Sequence, residues 1–173
     1  MFAIFFWFAC AHPPRHPLVI PPDIAPIPGT PPFTAVEIED VMPAGTVIGM
    51  RTVAAGKPTE ELRWEVMKTT LVGCTLREVL VVDGATISDT ETFTKWAELR
   101  DHADFRGQAV VEAEELVMQP PFGQRTAHTF AVTAADGTVT TYAFLDDLPG
   151  PPIRILVTKD GETLSTTTQY ERH

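Results

Sequence analysis

From about residue 36 to its end the chain consists of short runs in which apolar and polar residues alternate, separated by turn-forming pairs. Period-two alternation places the apolar side chains of an extended segment on one side, so these runs read as β-strands. They fall at 45–54, 62–70, 74–82, 85–93, 108–118, 126–134, 138–144, 153–158 and 163–170. Asp83-Gly84, Asp136-Gly137 and Asp160-Gly161 each stand between two runs, where a glycine at positive φ closes a tight hairpin. Gly56-Lys57-Pro58 joins the first two. The breaks around Pro120-Pro121 and Pro149-Gly150-Pro151-Pro152 cannot lie in central strands, because proline has no ladder donor.

Residues 94–105 follow a different period. Trp96, Leu99 and Ala103 recur at three- and four-residue spacing, Thr94 can cap the first turn, and Glu98, Arg100 and Asp101 are left to face water. This predicts one amphipathic helix packed on the sheet. Along the strands, Val66, Leu76, Val110, Phe130, Val132, Tyr142, Phe144, Ile153, Ile155 and Val157 can share one side. Arg63, Arg77, Thr129, Thr133, Thr141 and Arg154 are left for the other. One buried face implies a mainly β fold, a curved antiparallel sheet that is covered by the helix or closes on itself as a half-barrel or barrel.

The N-terminal fifth is unlike the rest. Residues 1–10 form an unbroken apolar run, far short of the roughly 20 residues a spanning helix needs. Its length suits the apolar part of a secretory signal, and Ala9-Cys10 followed by Ala11-His12 resembles a lipoprotein processing site, which makes Cys10 the candidate for lipidation. The alternatives are an uncleaved apolar anchor, or a buried edge segment with Cys10 as a small hydrophobe. Nine of the 16 prolines then fall between Pro13 and Pro32. Each fixes φ and biases its predecessor toward extended geometry, so residues 11–35 are expected to form a stiff arm reaching about 60 Å. The arm reads as a spacer from a membrane, or as a ligand for an aromatic groove on a partner. The division expected is thus a signal or anchor at 1–10, a linker at 11–35 and a β domain at 36–173.

Charge narrows the choice of partner. Against 13 Lys and Arg stand 23 Asp and Glu, a formal charge of −10, so nucleic acid is not expected as a partner. Two cysteines neither staple a small fold nor repeat a metal spacing, and Cys74 reads as a buried thiol. His102, Asp104, His128, Glu112, Glu114 and Glu115 are the densest set of potential metal ligands, but no pair has the i, i+4 spacing of a helical zinc site. Ser88 and Ser165 lie in no nucleophile elbow, and Asp146-Asp147 precedes a proline-rich turn. The domain therefore reads as non-enzymatic, with no cofactor and no metal.

The lipoprotein-like start, the proline stretch, the short strands with one helix, and the segment from Tyr142 through Asp146-Asp147-Leu148-Pro149-Gly150 to Arg154, with its following Lys159-Asp160-Gly161 hairpin, resemble uncharacterised secreted bacterial lipoproteins. Their plan is similar to the half-barrel of the lipoprotein-sorting carriers LolA and LolB. The resemblance implies a bacterial cell-envelope location, membrane-anchored and facing the periplasm or exterior, and an apolar concavity that shelters acyl chains. Two functions follow as expectations. One is an envelope accessory or scaffold that docks a protein partner through a strand edge or the arm. The other is a carrier of an acyl chain or other apolar ligand, with Trp96, Met118, Phe122, Phe130 and Phe144 as candidate lining. Mass spectrometry of membrane-extracted protein is expected to show Cys10 as a lipid-modified N-terminus; an intact Met1 followed by an unmodified Cys10 contradicts the lipoprotein reading.

Overall fold

A computed structural model describes residues 27–173. The apolar run, Cys10 and most of the proline-rich stretch lie outside the described residues. Nine strands form one antiparallel sheet: β1 (Val47–Ala54), β2 (Glu60–Thr70), β3 (Gly73–Val82), β4 (Ala85–Lys95), β5 (Ala109–Gln119), β6 (Gly123–Thr133), β7 (Val139–Leu145), β8 (Arg154–Lys159) and β9 (Glu162–Arg172). Two short helices, α1 (Ala35–Val41) and α2 (Trp96–Asp101), precede β1 and separate β4 from β5. The spatial order β4-β3-β2-β1-β9-β8-β7-β6-β5 is two meanders joined where β1 pairs with β9. The sheet does not close on itself, which settles the expectation of a half-barrel or barrel in favour of an open, curved sheet.

The three Asp-Gly pairs lie in hairpin loops as expected. Asp83 and Gly84 have φ of 47° and 81°, and Asp160 and Gly161 have 52° and 81°, the double positive φ that suits a two-residue turn to the twist of its strands.

The connection between β4 and β5 governs the shape. These are the two edges of the sheet, so residues 96–108 must run from one edge to the other. Eight strand spacings of about 4.8 Å make a flat sheet about 38 Å wide. The crossover falls short of that, because its length is taken up by α2 and by the turns after it, where the Ala103 and Asp104 N–H groups donate to the Arg100 and Asp101 carbonyls and the Gln108 N–H donates to that of Phe105. The edges must be drawn together, and the crossover must lie over the face that becomes concave. It is pinned at both ends. The Trp96 backbone N–H donates to Val72 O (3.2 Å) and its indole Nε1 to Thr70 O (3.0 Å). At the other end Phe105 stacks on Tyr142 (centroids 4.8 Å apart) and its N–H donates to Gly29 O (2.8 Å).

The helix expected at 94–105 is thus shorter, and Thr94 is not its cap. Thr94 pairs with Cys74 in the β3–β4 ladder, which continues to Lys95. Lys95 takes the cap position, its N–H donating to the Glu98 carboxylate (3.0 Å). Helix α1 departs from the expectation of a single helix at 94–105, with the β domain beginning at residue 36 and its first strand at 45. Thr34 and Glu37 form a reciprocal cap there: the Glu37 N–H donates to Thr34 Oγ1 (3.2 Å) and the Thr34 N–H to Glu37 Oε2 (2.7 Å). Just before it, Phe33 is buried edge-on to Phe144, so residues 27–35 pack against the domain.

The main core lies on the concave face. It contains Ile38 and Met42 from α1, Trp96 from α2, Phe105 from the crossover, and Ile48, Val66, Leu76, Phe130 and Phe144 from the sheet, with Val110, Val132 and Tyr142 packed against it. Ile153 departs from the expected side. It joins Val117, Ala127, Ala143 and Leu145 in a smaller cluster that Phe122 and Leu148 cover. Ala127 and Ala143 alternate with His128 and Phe144 along their strands, so this cluster lies on the opposite face.

Phe130 is 1% exposed, 5.3 Å from Phe105 and 5.9 Å from Phe144 between ring centroids. Phe130→Ala is expected to cost about 3–5 kcal/mol in denaturant unfolding. Met118→Ala, at a residue 72% exposed, is expected to change stability by less than about 0.5 kcal/mol. Equal losses at the two positions would contradict this assignment of the core.

Candidate functional site

Where the crossover and α1 roof the concave face, they leave a cavity of about 310 Å³. Met50 and Thr52 of β1, Leu62 and Trp64 of β2, Tyr142 and Phe144 of β7, Ile155 of β8 and Thr167 of β9 form its floor. Ile38 and Met42 close it from α1, Leu99, His102 and Ala103 from the crossover, and Gly150, Pro151 and Pro152 from the loop before β8. The floor positions follow from register. Met50 opposes Leu62 and Ile48 opposes Trp64 across β1–β2, and Tyr142 opposes Ile155 across β7–β8, so each pair points to the same side.

Polar groups in this wall are largely spent on one another. The hydroxyls of Thr52 and Thr167 share a hydrogen bond at 2.8 Å, and the Trp64 indole N–H donates to Glu78 Oε2 at 2.9 Å. Apart from the His102 imidazole and the Tyr142 hydroxyl, the remaining side chains of the wall are aliphatic, aromatic and thioether, which suits an apolar guest. His102 is exposed and sits at the C-terminal end of α2.

Of the five lining candidates read from sequence, Phe144 lies in this wall. Trp96 is 2% exposed and anchors the crossover, and Phe130 is core. Phe122 covers the cluster on the opposite face, and Met118 is exposed on edge strand β5. Met50, Leu62, Trp64 and Leu99 were missed. Continuing the alternation back from Val66 reaches Trp64 and Leu62, so that signal was available in the β2 sequence.

The potential metal ligands do not converge. His102 borders the main cavity, whereas His128 and Glu112 line a second depression of about 380 Å³ beneath Pro31, Pro32 and Phe33. His128 Nε2 is 3.6 Å from Glu112 Oε2, and the other Glu112 oxygen accepts from the Gly29 N–H. Asp104 is paired with Arg106, whose guanidinium holds that carboxyl down at about 2. Glu115 pairs with Arg154 and Asp147 with Arg125. Among the described residues no group of three or more His, Cys, Asp or Glu could hold a metal ion. Cys74 is fully buried and desolvation pushes its thiol up to about 11, which leaves it almost wholly protonated at neutral pH. Ser88 and Ser165 lie within β4 and β9. The arrangement is one for holding an apolar group.

No family model matches the sequence, and no curated protein matches it either. Solved structures similar to the chain are those of MucB. MucB alone is 19% identical over 80% of this chain, with a TM-score of 0.39, and MucB in complex with MucA(peri) is 17% identical over 84%, with a TM-score of 0.46. The MucA/MucB complex of Pseudomonas aeruginosa is 19% identical over 84%, with a TM-score of 0.44. The chain matches 55–56% of the length of each of these structures.

Proposed function

We propose that this is a non-enzymatic protein of the bacterial cell envelope that binds an acyl chain or another apolar ligand in the cavity over the concave face. The observation that carries the reading is the cavity itself, about 310 Å³ walled by Met42, Met50, Leu62, Trp64, Leu99 and Phe144. A solid core would have left no such space, because protein interiors pack closely. Each methylene moved from water into this wall contributes about 0.8 kcal/mol, so a fatty chain gains affinity with length. Anchoring to the membrane is assigned to the lipid on Cys10 or to the apolar run 1–10, with the proline-rich stretch as the tether.

A second reading, an accessory or scaffold that docks a protein partner, is favoured by the open edges. Among the described residues, strand β5 leaves one edge unpaired and exposes Val111 (68%), Leu116 (66%) and Met118 (72%); β4 leaves the other and exposes Ile87 and Phe93. An unpaired edge offers main-chain donors and acceptors to an incoming strand. Replacing Val111 and Leu116 together by Lys is expected to abolish a cross-link to such a partner.

The ligand-binding reading is tested by native mass spectrometry of protein purified from membranes, together with uptake of a fluorescent fatty acid. Bound acyl species and saturable uptake are expected, and Leu62→Trp, which fills the floor, is expected to reduce uptake at least tenfold while the fold is retained. A protein that carries no acyl species and takes up no fatty acid contradicts the reading.

A further inference from the structure

Gln169 and Arg172 stand three residues apart in β9, a spacing that puts side chains on opposite faces of a regular strand. A register shift between Gly49 and Met50 changes this: Gln169 opposes Met50 and Arg172 opposes Ile48. Directly opposed residues share a face. Met50 lines the cavity and Ile48 belongs to the main core, so the bulge turns both polar side chains toward the covered concave side.

The two groups are not equally satisfied there. Gln169 is 1% exposed, and neither its Oε1 nor its Nε2 has a hydrogen-bond partner among the described residues. The Arg172 guanidinium donates to the carbonyls of Pro149 (2.8 Å) and Leu148 (3.5 Å), and burial lowers its pKa to about 10, with no carboxylate paired to it among the described residues. Buried charges are ordinarily paired, and buried amides ordinarily hydrogen-bonded. Here a cation and an amide lie on the concave side of the sheet, behind the residues that line the apolar cavity. The cation lies close behind that wall at Gly150. A Cβ placed on Gly150 would stand 3.3 and 3.5 Å from the two terminal nitrogens of Arg172 and 3.6 Å from Met42 Sδ. Gly150 and Met42 both line the cavity, and at Gly150 no side chain separates the guanidinium from it.

We propose that the cavity takes amphiphiles with an anionic headgroup, a carboxylate or a phosphate ester, and that Gln169 and Arg172 receive that headgroup while the chain lies along Met50, Leu62 and Trp64. This rests on the apolar-ligand reading above and names its ligand class. The headgroup accepts from the guanidinium and from the Gln169 amide. Charge-assisted bonds of this kind are the strong ones in a water-poor site.

The test is calorimetric titration of the full chain with dodecanoate, dodecyl phosphate and 1-dodecanol at pH 8. At least one of the two anions is expected to bind about tenfold more tightly than the alcohol, and the tighter of the two identifies the headgroup. Arg172→Gln is expected to bring the anions to the affinity of the alcohol, whose own binding is unchanged. Because Arg172 also ties down the loop at Leu148 and Pro149, Gln169→Leu serves as the second variant. It removes no hydrogen bond of the protein and is expected to keep the wild-type melting temperature while the preference for anions shrinks several-fold. Equal affinity of wild-type protein for all three ligands, or a preference that survives both substitutions, overturns this proposal and leaves apolar binding standing. Failure of all three ligands to bind overturns the apolar-ligand reading along with it.

Discussion

The architecture depends on one connection that is short for the distance it must cover. Strands β4 and β5 are the outermost strands of the same sheet yet neighbours in sequence, apart from the crossover that carries α2. A flat sheet would set its ends farther apart than the crossover reaches, so curvature is a condition of chain connectivity. Trp96 and Phe105 fix the two ends of this strap, and between them Leu99, His102 and Ala103 span the concave face. Helix α1, held by the Thr34–Glu37 cap, lies beside α2 over the same face.

A strap drawn across a curved sheet does not touch the floor everywhere. Where Phe130 rises to meet Phe105 of the strap, the interior is solid. Toward β1, β2 and β9 the floor carries Thr52, Thr167 and the flexible Met50, and the roof stands clear. The cavity thus follows from the roof being carried chiefly at its ends. Among the described residues the opposite face has no such cover and keeps a small apolar cluster under Phe122 and Leu148, with ion pairs such as Arg77–Asp89 and Arg154–Glu115 over the remainder.

Much of this fold was legible in the residues because its signals are local. Each Asp-Gly pair lies within a few residues of the strands it joins, and alternation along a strand reports its own two faces. Helix α1 was equally local, in the Thr34-x-x-Glu37 pattern, and was masked by the prolines before it. The length of α2 was not local, since pairing with β3 claimed Thr94 and Lys95 for the sheet. The cavity wall needed the β1–β9 pairing, which joins the two ends of the domain and has no sequence signature. Met118 and Phe122 illustrate the limit: both are large and apolar, yet one lies on an open edge and the other across the sheet from the cavity. The shared face of Gln169 and Arg172 was likewise hidden, because a strict period of two sets them apart until a bulge intervenes.

An apolar guest is predicted to lie between strap and floor and nowhere else. Methyl-labelled methionine reports on it directly, since Met42 and Met50 line the cavity while Met67 (43%) and Met118 (72%) are exposed away from it. Titration with dodecanoate, followed by NMR of the methionine methyl groups, is predicted to shift the Met42 and Met50 resonances saturably and leave those of Met67 and Met118 in place. Shifts confined to Met67 and Met118, or no saturable shift at Met42 and Met50, would contradict the account.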